Sequence, residues 1–189
     1  MRRVYEVHGI SYPGDAAILG TVGETFAAFV DWLVEQGFTG SPQDLRDEIS
    51  RIELAAIREH GALYERVPET LRDLRRAGSI LTLCTNGDRR YVDAVLGRGG
   101  IARLFSQLST FEADGRSKAE RVGDLLRAYP DRAGIVVGDR HHDIEAARHN
   151  GCRVIGAAYG YARDGELAAA DARIDSFAEL PATIERLIA

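Results

Sequence analysis

The sequence is poor in cysteine and in long apolar runs, and it has no excess of positive charge. Cys84 and Cys152 lie inside apolar segments, where a thiol usually packs as a small hydrophobic group rather than as half of a disulfide. No segment approaches the roughly 20 apolar residues that span a bilayer, and the N-terminus lacks the apolar stretch of a signal peptide. These absences predict a cytoplasmic protein without a membrane partner.

The charge balance excludes another class of partner. The formal net charge is -5, and acidic and basic residues are interspersed along the chain, so no basic face is evident that would attract nucleic acid. Hydrophobic residues make up 45% and charged residues 28% of 189 residues, a composition typical of folded globular proteins. We expect one domain with a small subdomain and no nucleic-acid partner. The sequence leaves the oligomeric state open.

The pattern of apolar residues changes near residue 66. Before this point the spacing is helical, as in the stripe Leu45, Ile49, Ile52 and Ala56, and Ser41-Pro42 has the features of a helix start. After it, helical patterns alternate with the short apolar runs SILTLC, GIVVG, CRVIGAA and ARIDS. The alternation predicts an α/β fold, a doubly wound (Rossmann-like) parallel sheet with helices on both faces.

Polar residues follow two of these predicted strands, at the sheet edge where such folds bind ligands. Thr85-Asn86-Gly87 follows SILTLC and could form an anion site at a helix N-terminus, or simply a capped turn. Asp139 follows GIVVG, and Asp143 comes four residues later. Two carboxylates this close would repel unless a divalent ion such as Mg²⁺ lay between them, although Asp143 could be only a helix N-cap.

Lys118 stands at the predicted start of another helix, between Ser117 and Glu120 at capping-box spacing. A cation there opposes the helix dipole, which suggests a negatively charged partner, the alternative being a solvated surface lysine. His141 and His142 are adjacent. We expect them at the rim of a site, because neighbouring residues do not face one metal as an i, i+4 pair does.

The segments LTLCTNG, GRSKAE and VVGDRHHDIEAARHNG occur in this order, and they resemble motifs of the haloacid dehalogenase-like phosphohydrolase superfamily. The likeness is greatest to the phosphoglycolate-phosphatase-like branch and extends through IGAAYGYARDGEL and ARIDSFAEL. It covers roughly residues 67–189, which would form the α/β core, whereas residues 1–66 look like the family's helical cap.

The resemblance implies a Mg²⁺-dependent phosphatase that acts on a small phosphorylated metabolite of the phosphoglycolate type. It also implies roles for the residues after the strands, namely Thr85 and Lys118 in catalysis, Asn86 and Gly87 in substrate binding, and Asp139 and Asp143 in metal binding. Dehalogenases and sugar-phosphate mutases are nearby alternatives within the superfamily.

The family's first motif, a strand ending in Asp-x-Asp-Gly-Thr, supplies the nucleophilic aspartate, and this sequence does not contain it. Asp15 is a poor substitute, because Ala17 stands where the general acid would be and Pro13-Gly14 would break a preceding strand. Asp31 falls within a predicted helix. We therefore expect the chain as given to be catalytically inert.

Met1 would then fall inside the first cap helix, and a strand and loop of about 15 to 20 residues would lie upstream. A misassigned start, a truncated gene and a pseudoenzyme would all give this sequence. Stability should be marginal unless VYEVHGI fills the central strand position between SILTLC and GIVVG.

The phosphatase is the first of three functional hypotheses, and a non-catalytic phosphate- or metal-binding module is the second. The third, an unrelated nucleotide-binding domain, is disfavoured because no G-x-G-x-x-G follows the first strand.

Overall fold

The structure is a computed structural model that describes residues 1–111 and 115–189. Its first part is helical. Side chains of Thr25 and Ser41 cap two of these helices by accepting hydrogen bonds from N–H groups in the first turn, as hydroxyl residues commonly do. The helices are α1 (Arg2–Val7), α2 (Asp15–Leu19), α3 (Phe26–Glu35) and α4 (Pro42–His60).

These N-terminal helices bury a hydrophobic cluster of their own, formed by Val4, Tyr5, Ile10, Leu33, Phe38, Leu45 and Ile49. The consecutive residues Val4 and Tyr5 are both 1% exposed. The first four residues of VYEVHGI lie in α1, which ends at Val7, and the last three follow this helix without forming a strand. The suggestion that VYEVHGI fills a strand position is therefore wrong. The division into a cap and a core at residue 66 stays a prediction.

The rest of the described chain alternates helices with short strands, which confirms the α/β class. Two 3₁₀ turns, Ala102–Leu104 and Phe177–Glu179, interrupt the alternation. The helices and strands are α5 (Val67–Arg76), β1 (Thr82–Cys84), α6 (Arg89–Gly99), β2 (Gln107–Ser109), α7 (Lys118–Arg127), β3 (Ile135–Gly138), α8 (His141–His149), β4 (Arg153–Ala157), β5 (Ala172–Ile174) and α9 (Leu180–Ile188).

Helices cover both faces of the β3–β4–β5 sheet. Val154 and Ile155 are consecutive in β4 and both fully buried, although side chains alternate across a strand. Val154 packs against Ile144 of α8, and Ile155 packs with Leu74 and Leu180 of α5 and α9. The sheet is therefore doubly wound, as the alternation of patterns predicted.

The strands form two parallel sheets in the described residues. One pairs β1 with β2, and the other has the order β3–β4–β5. β1 and β3 are not paired with each other there, and a cavity of about 180 Å³ lies between them, roofed by α7. Cys84 at the end of β1, Lys118 in the first turn of α7 and Asp143 in α8 line this cavity, so two of the predicted site residues border it.

Several details differ from the sequence-based expectations. β2 was not predicted, because a strand of three residues is too short to show an alternating pattern of apolar and polar residues. The segment ARIDSFAEL ends in a 3₁₀ turn and the first residue of α9, Leu180. Cys84 and Cys152 are free thiols, as expected. No helix in the described part of the chain combines the length and apolar character needed to cross a membrane.

Candidate functional site

The turn after β1 is closed by its own polar groups. Thr85 donates its N–H to Ser109 O at 2.9 Å, which extends the pairing with β2. Gly87 donates its N–H to Thr85 Oγ1 at 3.1 Å, a short side-chain turn of the kind that threonine favours. Asp88 is the N-cap of α6 and accepts from the N–H of Tyr91. A hydrogen-bonded strand-to-helix turn therefore presents Thr85, Asn86 and Gly87 at the sheet edge.

Arg121 clamps this turn from α7, although sequence reasoning did not single it out. Its side chain donates from Nη1 to Thr85 O at 2.6 Å and from Nη2 to Asn86 Oδ1 at 2.7 Å, and the residue is 4% exposed. Asn86 in turn donates to Gly23 O at 3.0 Å. The Asn86 amide thus holds the turn to α7 and to the loop before α3. The one sequence signal for Arg121 is its place one helical turn after Lys118.

Lys118 and Asp143 form an ion pair at the edge of the cavity. Ser117 and Glu120 complete the expected capping box, which places Lys118 at the first position of α7. Its Nζ lies 2.6 Å from Asp143 Oδ1, with side chains 15% and 8% exposed. Asp143 is thus a negatively charged partner of the kind that the sequence suggested, and the Lys118 side chain is largely buried rather than solvated. It is also the only lysine in the sequence.

Asp143 is not the N-cap of α8. The helix begins at His141, and the second carboxylate oxygen of Asp143 accepts from the N–H of Arg140, the N-cap residue, at 3.1 Å. Gly138 makes this position possible, because a Cβ there would lie 1.9 Å from Asp143 Cγ. Only glycine lets the end of β3 pass this close to the carboxylate.

Asp139 is held on a different side of the β3 terminus. Its Oδ2 accepts from the N–H of Tyr161 at 2.7 Å in the loop after β4. Gly160 lies against the same oxygen, where a Cβ would come within 2.4 Å. Burial, helped by the negative charge of Asp139, raises the pKa of nearby Tyr159 to about 12. Asp139 is therefore a positioned carboxylate flanked by a neutral phenol.

The cavity between β1 and β3 is lined by both members of the ion pair. Thr82 and Cys84 of β1 line it as well, together with apolar residues of α7 and β3. Burial raises the pKa of the Cys84 thiol, so this group is neutral near pH 7. The structure brings Lys118 and Asp143 into contact, connects Thr85 and Asn86 to α7 through Arg121, and holds Asp139 separately by the Tyr161 N–H.

A buried arginine organises the residues next to this site. Arg140 is 3% exposed and donates to Glu166 at 2.9 Å, to Glu24 at 2.8 Å and to Val22 O. Burial would raise the pKa of Glu166, but its carboxylate accepts hydrogen bonds from the backbone N–H groups of Arg163 and His141 and from the side chains of His141 and Arg140, and these lower the pKa to about 2. Glu166 is therefore ionised throughout the neutral range.

The expectation for the histidine pair needs correction. The rings of His141 and His142 lie with their centroids 3.8 Å apart and their planes tilted by 41°, and both approach Glu24. One ligand atom from each of these three residues lies within 4.8 Å of the others. Adjacency therefore does not prevent the two rings from facing one point, because the chain is just entering α8. No local pattern could reveal Glu24, which is 118 residues from His142.

A sequence model of the haloacid dehalogenase-like hydrolase family matches residues 4–151. The chain belongs to this family. The match includes the segments LTLCTNG, GRSKAE and VVGDRHHDIEAARHNG, and with them Lys118, Asp139 and Asp143. The segments IGAAYGYARDGEL and ARIDSFAEL lie beyond it.

Curated proteins similar to this chain include phosphoglycolate phosphatases. That of Vibrio parahaemolyticus is 34% identical over 124 residues, which cover 62% of this chain and 54% of the relative. The Caulobacter vibrioides protein is 29% identical over 168 residues, which cover 79% and 68%. The chain spans about half the length of the Vibrio relatives that it matches.

Solved structures share the family fold. A predicted phosphoglycolate phosphatase from Haemophilus somnus superposes with a TM-score of 0.82 at 23% identity, covering 96% of this chain and 87% of that one. CbbY from Rhodobacter sphaeroides, solved in complex with phosphate, gives a TM-score of 0.78 at 22% identity and covers 94% and 85%. At these identities the comparison supports the fold alone.

Proposed function

We propose that the chain forms the phosphate- and Mg²⁺-binding side of a phosphatase site for a small phosphate ester of the phosphoglycolate type. The observation that carries the proposal is the Lys118–Asp143 pair at 2.6 Å, which borders a cavity beside the turn after β1. The relatives named phosphoglycolate phosphatase support the substrate class. Residues 1–66 would act as the cap that selects the leaving group.

Phosphate binding would use the turn after β1 and the lysine. The N-terminus of α6 carries free N–H groups and the positive end of the helix dipole, which favour an anion. The Thr85 hydroxyl can donate to a phosphoryl oxygen while it accepts from Gly87 N–H. The Lys118 ammonium would offset negative charge on the phosphate. Arg121 and Asn86 would position the turn rather than touch the substrate.

The acidic residues have donor atoms of the right type for Mg²⁺, which prefers carboxylate oxygens and retains bound water. Asp139 Oδ2 accepts one hydrogen bond, from Tyr161 N–H, and carboxylate oxygens have further acceptor capacity. Both oxygens of Asp143 are already engaged, by Lys118 and by Arg140 N–H, so Asp143 would hold the ion through water. Bound Mg²⁺ would orient the phosphate and neutralise part of its charge.

The described residues offer no replacement for the nucleophile near this site. Asp15 lies in the first turn of α2, where it pairs with Arg2 and accepts a hydrogen bond from Tyr12. Asp31 is exposed on α3. This observation favours the second hypothesis, a phosphate- and metal-binding module without catalytic activity, for the chain as given.

An activity assay with matched chains would separate the two functions. We would measure hydrolysis of p-nitrophenyl phosphate and phosphoglycolate with Mg²⁺ by this chain and by a chain extended at its N-terminus by a strand ending in Asp-x-Asp-Gly-Thr. Only the extended chain should turn over, because loss of a covalent nucleophile can lower the rate about a million-fold. Lys118→Met in the extended chain should abolish this hydrolytic activity.

Other results would change the assignment. An extended, folded chain that binds phosphate without hydrolysing either ester would favour the binding module. Turnover by the unextended chain that Asp15→Asn abolishes would show that Asp15 is the nucleophile.

A further inference from the structure

Glu24, His141 and His142 bring three metal-ligating side chains together outside the phosphate site. His142 Nε2 lies 3.0 Å from Glu24 Oε2, and one ligand atom from each residue lies within 4.8 Å of the others. Ligands of a tetrahedral zinc ion lie about 3.3 Å apart, given bonds of about 2.0–2.1 Å. We propose that these three residues bind a divalent transition-metal ion of the zinc class.

Each proposed ligand has a partner that leaves one donor atom free. Glu24 Oε1 accepts from Arg140 at 2.8 Å, so its Oε2 faces His142. His141 Nδ1 lies 2.7 Å from Glu166 Oε1, which leaves Nε2 for the ion. A carboxylate on the second nitrogen of a metal-binding histidine fixes the ring and raises its basicity.

His142 has a weaker version of the same arrangement. Its Nδ1 lies 3.8 Å from Glu145 Oε2 in the same helix, within ion-pair reach but beyond a hydrogen bond. Arg140 pairs with Glu24 and Glu166, and Arg163 pairs with Glu24. With Glu145 beside His142, three carboxylates surround the rings against these two guanidinium groups. The surroundings are therefore net negative when both rings are neutral, which favours a cation.

The donor set separates this site from the one proposed for Mg²⁺. Two imidazole nitrogens and one carboxylate oxygen suit zinc and similar ions, whereas Mg²⁺ prefers oxygen ligands. Three protein ligands leave a fourth position for water. Asp139 and Asp143 are not members of the cluster, although they flank the two histidines in sequence.

An ion here would join distant parts of the chain. Glu24 lies in the loop before α3, and the histidines lie in the first turn of α8. Gly23 O in that loop accepts from Asn86, so the same loop also touches the turn after β1. Bound metal would therefore fix the loop against the α/β part of the chain. The proposal stands independently of phosphatase activity.

Titration with Zn²⁺ in excess Mg²⁺, read by competition with a chromophoric chelator, tests the site directly. The wild-type chain should bind one Zn²⁺, and His142→Gln and Glu24→Gln should each lose at least about tenfold in affinity, because loss of a residue that only supports a metal ligand already costs about 10–100-fold. Co²⁺ should give visible absorption bands that both variants lose. His149→Gln, an exposed histidine in the same helix, is the matched control and should bind like the wild type.

Amide hydrogen exchange supplies a second readout. Zn²⁺ should slow exchange in the segment around Glu24 in the wild type and not in His142→Gln. Circular dichroism should show that the His142→Gln variant is folded, so that its loss of binding is not a loss of structure. Equal Zn²⁺ affinity in wild type, His142→Gln and Glu24→Gln would overturn the proposal. So would loss of Zn²⁺ binding in Asp139→Asn alone, which would place the ion at the other site.

Discussion

Lys118 Nζ and Asp143 Oδ1 lie 2.6 Å apart and join the first turns of α7 and α8. Both charges lie in the first turn of a helix, Lys118 in α7 and Asp143 in α8. The positive end of the helix dipole stabilises the aspartate and destabilises the lysine. The carboxylate therefore compensates the unfavourable position of the lysine. Because the side chains are 15% and 8% exposed, removal of one partner would leave a largely desolvated charge.

Lys118→Met should therefore affect both binding and stability. The surface-lysine view would predict a change within about 0.5 kcal/mol. The burial of the pair instead predicts that the free energy of unfolding falls by about 3 kcal/mol, at the low end of the range for breaking a buried ion pair. The low end applies because Asp143 still accepts the hydrogen bond from the Arg140 N–H. Urea unfolding measures the stability, and vanadate titration measures the anion affinity, which should fall.

Arg127→Met is the matched control for Lys118→Met. It removes the ion pair with Asp124 on the same helix, where the side chains are 72% and 44% exposed. Exposed pairs contribute about 0.2–1 kcal/mol, so this variant should remain close to the wild type and bind vanadate equally well. A similar small change in both variants would mean that burial does not strengthen the Lys118–Asp143 pair.

Mg²⁺ should stabilise the wild type and fail to stabilise Asp139→Asn, in which an amide replaces the proposed ligand. With free Mg²⁺ at ten times Kd, selective binding to the folded state adds about 1.4 kcal/mol. Thermal unfolding across a Mg²⁺ series measures the shift. Asp131→Asn, an exposed carboxylate in another turn, should respond like the wild type. Equal shifts in wild type and Asp139→Asn would remove Asp139 from the metal site.

Gly138→Ala should displace Asp143 or destabilise the fold, because the new Cβ would lie 1.9 Å from Asp143 Cγ. We expect a loss of about 1–3 kcal/mol, the usual effect of overpacking, together with weaker vanadate binding. Gly97→Ala in α6 is the control, since its Cβ would meet no atom within 4 Å. That change should raise the free energy of unfolding by about 0.5–1 kcal/mol, because alanine is more favourable than glycine inside a helix. Urea unfolding compares the two, and an unaffected Gly138→Ala would contradict the close approach.

Local signals predicted the elements better than the contacts between them. The capping box at Ser117 and Glu120 formed as expected, because both partners lie within one turn. The alternative that Asp143 is only an N-cap is wrong, since its carboxylate acts from the third helical position of α8. The residues that contact Lys118, Asn86 and His142 come from distant segments of the chain. The periodicity of apolar residues predicts helices and strands but not such long-range contacts.

Stability should depend on pH through Asp171, which ties β4 to α8. Its carboxylate accepts from both terminal nitrogens of Arg148, at 3.0 and 3.1 Å, and from Val154 N–H at 2.7 Å. These hydrogen bonds, first those from Arg148, hold the pKa of Asp171 below its usual value. The folded chain thus binds the proton less readily than the unfolded chain, in which the pKa is about 3.9.

The sign of the pH effect follows from this difference. The contribution of Asp171 is complete above the unfolded pKa and is lost as the pH falls through the lower folded pKa. Asp171→Asn should therefore be less stable than the wild type at pH 7, and the gap in free energy of unfolding should narrow below about pH 4. Urea unfolding from pH 7 to pH 3 measures it, with Asp131→Asn as the control. A gap that stays constant over this range would show that Asp171 acts through packing rather than through its charge.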